Sequence, residues 1–319
     1  MRRLLQSLVL LAFAATAYGA AAQAFPSKPI RLIAPFAPGG ALDLIARGVG
    51  GKLSEGVGQP VVVENRAGAS GAIGSEAVAR SAPDGYTLLL GATTTHGVNP
   101  ALNPKLPYDP IKDFTPISLV ATIPHVLVTN PSLGVNSVQD LVKLGKTRSL
   151  NYGSAGNGSP HHLAAELFRS MAGIDAVHVP YKGSGPALAD LMGGQLQFIS
   201  VEYTAAEPHV KSGKLKALAV ATAQRVPGID LPTVGEAGYP GFQVTSWYAI
   251  YGPAGMPEAV TNKLSAEIAK AVKSPDLSER LKGLGTTPIG STPAELAAHT
   301  RNEIARWTQV VKAANIKPE

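Results

Sequence analysis

The chain has 319 residues, 45% apolar and 16% charged, with 28 Lys and Arg against 22 Asp and Glu and a net charge of +6. The absence of cysteine excludes disulfide scaffolds, thiolate zinc sites, iron–sulfur clusters and cysteine nucleophiles. The apolar fraction excludes a disordered chain, the length suggests about two domains, and the charge leaves nucleic acid, an anionic surface or small anions open as partners.

Residues 1–24 read as a secretory signal peptide. Arg2 and Arg3 form a basic start, Leu4 to Ala17 is mostly apolar, and Ala22-Gln23-Ala24 places small residues before a cut after Ala24. The strongly apolar part is too short to span a bilayer, and no later run reaches 18 uninterrupted apolar residues. The mature chain is therefore expected to be soluble and periplasmic. Removing these 24 residues leaves 295, with 26 basic residues against 22 acidic and a charge of +4.

Strands and helices then alternate. Ile30–Phe36 reads as a buried strand followed by Pro38-Gly39-Gly40. From Ala41 the period becomes helical, with Leu42, Ile45, Ala46, Val49 and Leu53 on one face. Val61–Val63 is a strand, Ile73–Arg80 a helix and Tyr86–Leu90 a third strand, the pattern of βαβ units. Five prolines between Pro100 and Pro116 mark an ordered connection, and Ile117–Thr129, divided by Pro124, reads as a crossing into a second domain.

The second domain repeats the grammar. Ser137 and Asp140 start a helix to Lys146, and Tyr152 ends a strand. A helix begins at Ser159-Pro160, with Leu163, Leu167 and Met171 on one face. Ala176–Val179 is a strand, Ala187–Met192 a helix, and Gln197–Val201 and Leu215–Ala221 are strands. Residues 242–251 read as the return crossing. In the tail, Val260, Leu264, Ile268 and Val272 share a helical face. Thr292, Pro293 and Glu295 fit N-cap, N1 and N3 of a last helix, whose Ile304, Trp307 and Val311 are expected to pack on the first domain. The expected fold class is α/β. Two lobes, each a mainly parallel sheet flanked by helices, are joined by two crossings with a ligand cleft between them. The expected boundaries are 25–122 and 244–319 for the first lobe and 123–243 for the second.

Two glycine-rich loops precede helix starts, Ala34 to Asp43 and Gly153 to Pro160. Glycine lets a backbone turn tightly and approach a ligand, and the free N–H groups of a first helical turn favour an anion. Either loop is equally compatible with a plain βα turn. Neither matches a phosphate-binding P-loop or a dinucleotide fingerprint, so no cofactor is expected. Asp43 lies too far into its helix to cap it and suits a bond back to the loop. His96, the adjacent His161 and His162, Lys182, Trp247 and Tyr248 are weaker candidates. Adjacent histidines on a helix diverge and do not chelate, and no metal site is expected. No spacing suggests a nucleophile with its base, which leaves an exported ester or amide hydrolase as the alternative without a motif. No basic cluster suggests nucleic acid.

Several runs carry a specific resemblance: PSKPIRLIAPFAPGGALDLIAR (26–47), GQPVVVENRAGASGAIGSEAVARSAPDGYTLLLG (58–91), NPKLPYDPIKDFTPISLV (103–120), LNYGSAGNGSPHHLAAELF (150–168), VHVPYKGSGPALADLMGGQL (177–196), LPTVGEAG (231–238) and PAGMP (253–257). They resemble the Bug receptors, or TctC family, the extracytoplasmic solute-binding proteins of tripartite tricarboxylate transporters. The resemblance covers nearly the whole mature chain. It implies a periplasmic-binding-protein fold of type II-like form, closing on a small carboxylate and handing it to membrane permease subunits. It implies that Phe36, Ala37, Pro38, Gly39, Gly40, Ala41 and Asp43, with Ser154, Gly156, Asn157, Gly158 and Ser159, hold the carboxylate through backbone N–H groups and waters. Ser70, Gly71, Thr93, Thr95 and His96 then flank that pocket, and His162 joins it. Many relatives carry an acid that can hold a ligand amine where this chain has Val201, followed by Glu202 and Tyr203. That departure points to a mono- or dicarboxylate with an apolar or aromatic body rather than an amino acid. A monomer is expected, and docking to a sensor-kinase periplasmic domain is a further partner compatible with this class.

Overall fold

The computed structural model describes residues 25–39, 41–181, 183–283, 285–313 and 316. The signal peptide, its cut after Ala24, Gly40 and Lys182 lie outside the described residues. In the first lobe, β1 (Ile30–Ala34) feeds α1 (Ala41–Val57), followed by β2 (Val61–Asn65), α2 (Ala72–Ala79) and β3 (Thr87–Ala92). β1 pairs in parallel with both β2 and β3, the arrangement that βαβ connections impose. A π-helical turn at Thr94–Val98 and the short α3 (Asn99–Leu102) follow β3.

Strand β4 (Phe114–Thr129) runs through Pro124 without a break. Its first part pairs antiparallel with β9 (Thr245–Pro253) as far as Pro124 opposite Thr245. From His125 its partners become β7 (Phe198–Glu202) and β8 (Lys216–Val220). The proline has no N–H to give to a ladder, and it sits where the strand leaves one set of partners for the other. The second lobe contains α4 (Val138–Thr147), β5 (Leu150–Ser154), α5 (Pro160–Ala172), β6 (Ala176–Pro180) and α6 (Ser184–Met192). β5 pairs in parallel with β6 and β7. The strand order is β2-β1-β3-β9-β4-β7-β5-β6, so each lobe keeps its parallel βαβ part while the shared strands β4 and β9 make the sheets mixed.

Two elements differ from expectation. A helix, α7 (Tyr203–Lys211), fills the stretch between the strands expected at 197–201 and 215–221, for which the sequence suggests no element; Pro208 lies inside it and only Ala206 is buried, so no apolar period marks it. After α8 (Glu258–Lys273), α9 (Pro275–Gly283) and the two-residue β10 (Thr287–Pro288), the last helix is α10 (Pro293–Ala313). Thr292 Oγ1 accepts the Glu295 N–H at 3.3 Å and Glu295 accepts the Thr292 N–H at 2.8 Å, the reciprocal box expected. This helix does not rest on the first lobe alone. Leu296 joins the cluster of Tyr108, Trp247 and Tyr251, whereas Trp307 and Val310 pack with Phe168 and Phe242 of the second lobe. Replacing Thr292 by Ala is expected to cost about 1 kcal/mol, read as a lowered Tm.

Candidate functional site

The two glycine loops meet across one cleft. An inner cavity of about 370 Å³ is lined by Phe36, Ala37, Ala41 and Leu42 from the first loop and by Ser159, Pro160 and His161 from the second, with Glu202, Ser246, Trp247 and Tyr248 on its floor. A neighbouring outer cavity of about 330 Å³ is lined by Ser70, Asn99, Asn103, Asn157 and Gly158 among others. Phe36, Thr94, Ala155, Ser159 and Pro160 border both, so the two are halves of one cleft.

Local bonds hold each loop. Gly39, at φ 89°, gives its N–H to Asp43 Oδ2 at 3.0 Å. Asn65 Nδ2 donates to Phe36 O at 3.1 Å and to Asp43 Oδ1 at 3.0 Å. Asp43 thus does bond back to the loop. The Arg47 guanidinium, and then the Gly39 N–H, hold its carboxyl down at about 2. A lowered carboxyl value means the stabilisation is complete above about pH 4 and is lost as the pH falls toward 2. An acid titration followed by the Gly39 amide signal is expected to show that midpoint, and Asp43→Asn to abolish it.

In the second loop, Gly156 and Gly158 take φ of 124° and 68°. Ser159 caps α5, accepting the His162 N–H at 3.3 Å and donating to Gly156 O at 2.7 Å. The N–H groups of Gly156, Gly158 and Ser159 are used within the loop and its flanks. Those of Ala155 and Asn157 have no partner among the described residues, and both residues border the outer cavity.

The sequence model of the tripartite tricarboxylate transporter family receptor, TctC, matches residues 45–316. The chain belongs to this receptor family. Its members are periplasmic solute-binding proteins of tripartite transporters. The chain is 39% identical to protein BugT of Bordetella pertussis over 99% of each chain. Among solved structures, it is 38% identical to Rpa4515 of R. palustris, solved with adipate, at a TM-score of 0.81, covering 92% of this chain and 100% of that one. It is 36% identical to MatC of Rhodopseudomonas palustris, solved with bound malate, at a TM-score of 0.76, covering 90% and 100%.

In this TctC-family receptor the expected site residues that the structure describes fall into four groups. Phe36, Ala37, Ala41, Ser70, Thr93, Asn157, Gly158, Ser159 and Glu202 border the cleft. Asp43, Gly71, Ser154, Gly156 and His162 lie behind it and shape its loops, while Pro38 and Gly39 are exposed at the tip of the first loop. Four residues are elsewhere. Thr95 is buried, its Oγ1 bonded to Ala92 N and O. His96 is fully buried and stacked on Tyr251 at 4.0 Å, and burial pushes it down to about 3. Both descend into the core because the chain turns helical at Thr94, leaving Thr93 and Thr94 at the cleft. Val201 points into the second-lobe core, since side chains alternate along β7, and Tyr203, on α7, lines a separate hollow with Val210 and Leu215.

The same alternation makes Glu202 the inward acid. Its Oε2 is 2.7 Å from His161 Nε2, and its Oε1 accepts from Ser246 Oγ at 2.9 Å. Burial alone would raise this carboxyl; His161 and His125 outweigh it and hold it well below the usual range. Since Ser246 spends its proton on Glu202, His125 Nε2, 3.0 Å away, must donate to Ser246. Serine therefore sits between histidine and acid, not the order of a nucleophile, base and orienting carboxylate. Ser246 and Thr94 are not among the expected site residues, and His161 stands only among the weaker candidates. The helical divergence of His161 and His162 was the available signal: one imidazole turns to the cleft and the other away from it.

Proposed function

We propose that this chain is an exported receptor, cut after Ala24, that captures a small mono- or dicarboxylate between lobes divided at residues 122/123 and 243/244 and delivers it to membrane permease subunits. The observation that carries the reading is the meeting of two glycine loops across one cleft in a member of this receptor family. The adipate and malate bound by two relatives support the ligand class. The carboxylate sits against the loop backbones, with Asn157 and Ser159 beside it. The ligand's body lies over Phe36, Leu42 and Tyr248 and ends near Glu202. The argument from Val201 against an amino acid falls away, because Glu202, not Val201, faces the cavity.

A thermal-shift screen with aliphatic mono- and dicarboxylates, amino acids and aromatic acids tests the reading. A ligand that binds only the folded state raises Tm. A shift from at least one carboxylate is expected; no shift from any of them, or turnover of carboxylic esters, overturns it.

Glu202 sets a further expectation. A negative group at the inner end disfavours a second carboxylate there by about 2 kcal/mol at ~8 Å and an effective dielectric of ~20. Glu202→Gln is expected to raise dicarboxylate affinity relative to monocarboxylate by about thirtyfold. An unchanged ratio by titration calorimetry would remove Glu202 from the ligand's inner end.

A further inference from the structure

We propose that the stacked imidazoles of His162 and His178 are the positioning device of the second-lobe glycine loop, holding its ligand-facing backbone only while the pair is uncharged. The importance of that backbone for ligand rests on the proposed function; the device itself does not.

His162 lies on α5 and His178 on β6, both behind the loop. His162 Nδ1 accepts the Gly158 N–H at 3.0 Å. A nitrogen that accepts carries no proton, so the neutral ring has its proton on Nε2 and a second proton must go to Nδ1. That proton would set one N–H against another and release Gly158. His178 Nε2 is 2.6 Å from Ser154 Oγ, which in turn bonds both the N–H and the carbonyl of Gly156. One ring therefore holds the start of the loop and the other its end. The two rings stack at 3.8 Å with 6° between planes, where two cations would repel strongly.

The other groups facing the pair are Tyr152 on β5 and Glu166 and Arg169 on α5. Tyr152 stacks on His178 at 5.1 Å. Glu166 favours charge on both rings, but its carboxylate is taken up by Arg169 at 2.8 Å and by the Tyr152 hydroxyl. The balance is toward neutral rings. Burial pushes His162 down, and burial followed by the charge of His162 pushes His178 down to about 4. Values lowered in the ordered state mean the loop is fully held above pH ~6.5 and loosens as the pH falls toward 4.

Histidine-selective nitrogen NMR on the receptor without ligand tests this. At pH 7.5 His162 Nδ1 is expected to read as an unprotonated acceptor. On acidification the Gly158 amide signal should move with the His162 midpoint, below 6.5. Its hydrogen exchange, corrected for the intrinsic rate, should speed by about fivefold between pH 7.5 and 5. In His162→Phe the Gly158 signal should lose this dependence and the His178 midpoint should rise. Should that variant not fold, His178→Phe preserves a stacked ring and should leave the Gly158 signal following His162. A proton on His162 Nδ1 at pH 7.5, or a Gly158 amide indifferent to His162, overturns the proposal. No ligand is involved, so failure here leaves the carboxylate reading standing, and a failed carboxylate screen leaves this one.

Discussion

Replacing Glu303 by Ala is expected to lower the unfolding free energy by about 3–5 kcal/mol, because the carboxylate is a buried junction with no substitute. Trp247 Nε1 donates to its Oε2 at 2.8 Å and Trp307 Nε1 donates to the same atom at 3.1 Å. Arg306 Nη2 lies 3.3 Å from Oε1, and its guanidinium sits over the Trp307 ring. Both indoles are fully buried and Glu303 is 6% exposed. The variant leaves two indole donors without a partner and a largely buried cation without its counter-charge, Arg306 keeping only the Gln243 carbonyl on Nη1, so desolvation is not recovered. Trp247 also forms part of the cleft floor, so ligand affinity should fall with stability. Glu303→Gln preserves an acceptor and should lose about half as much. Urea unfolding followed by fluorescence reads the junction directly, as the chain's only 2 tryptophans are the ones involved. A loss below about 1 kcal/mol in Glu303→Ala would show that the junction contributes little.

That junction also shows where sequence reading of the fold stops. The capping box at Thr292 and Glu295 is a local pattern, and the helix starts where it says. What the helix packs on is set by nonlocal geometry. One apolar face crosses from Leu296 near Trp247 to Trp307 near Phe168, because the lobes share β4 and β9 and the helix lies over both. The parallel βαβ parts were legible from the switch between strand and helix periods at Ala41 and Ser159. The antiparallel role of β4 was not, since a continuous apolar strand reads the same whichever way its partners run. α7 has little apolar period to read and a proline inside it.

For the cleft, glycine and helix-start chemistry identified both loops, because positive φ and N-capping are properties of a few adjacent residues. The side chains aimed at the ligand followed a different rule. Val201 and Glu202 differ by one position on a strand, and that step decides which one meets the cavity. His161 and His162 differ by one position on a helix, and the turn of about 100° between neighbours sends one to Glu202 and the other behind the loop. A register error of one residue costs nothing in recognising a family and reverses the chemistry of the site.

Gly158→Val should weaken carboxylate binding by roughly 10–100-fold while the receptor still folds. Gly158 holds φ 68°, a conformation a β-branched residue adopts only under strain of about 1–3 kcal/mol. A Cβ built there meets Leu102 Cδ1 at 2.5 Å across the outer cavity, so the new side chain occupies cleft space and pushes on the first lobe. Relief comes from moving the loop, which breaks the Gly158 N–H bond to His162 and shifts Asn157 and Ser159 with it. A loop distorted by that amount forfeits binding of the same order, at 1.4 kcal/mol per tenfold. The fold should survive, because Leu102 is a flexible side chain and the second-lobe core around Phe168 and Phe198 lies elsewhere. Far-ultraviolet dichroism should match the parent, and Tm without ligand should fall by only a few degrees. The carboxylate that most raises the parent's Tm should leave the variant's nearly unmoved. A variant that keeps parental affinity would place the ligand away from the second loop, and the two-loop reading of the cleft would then fail at the residue where it makes its most direct claim.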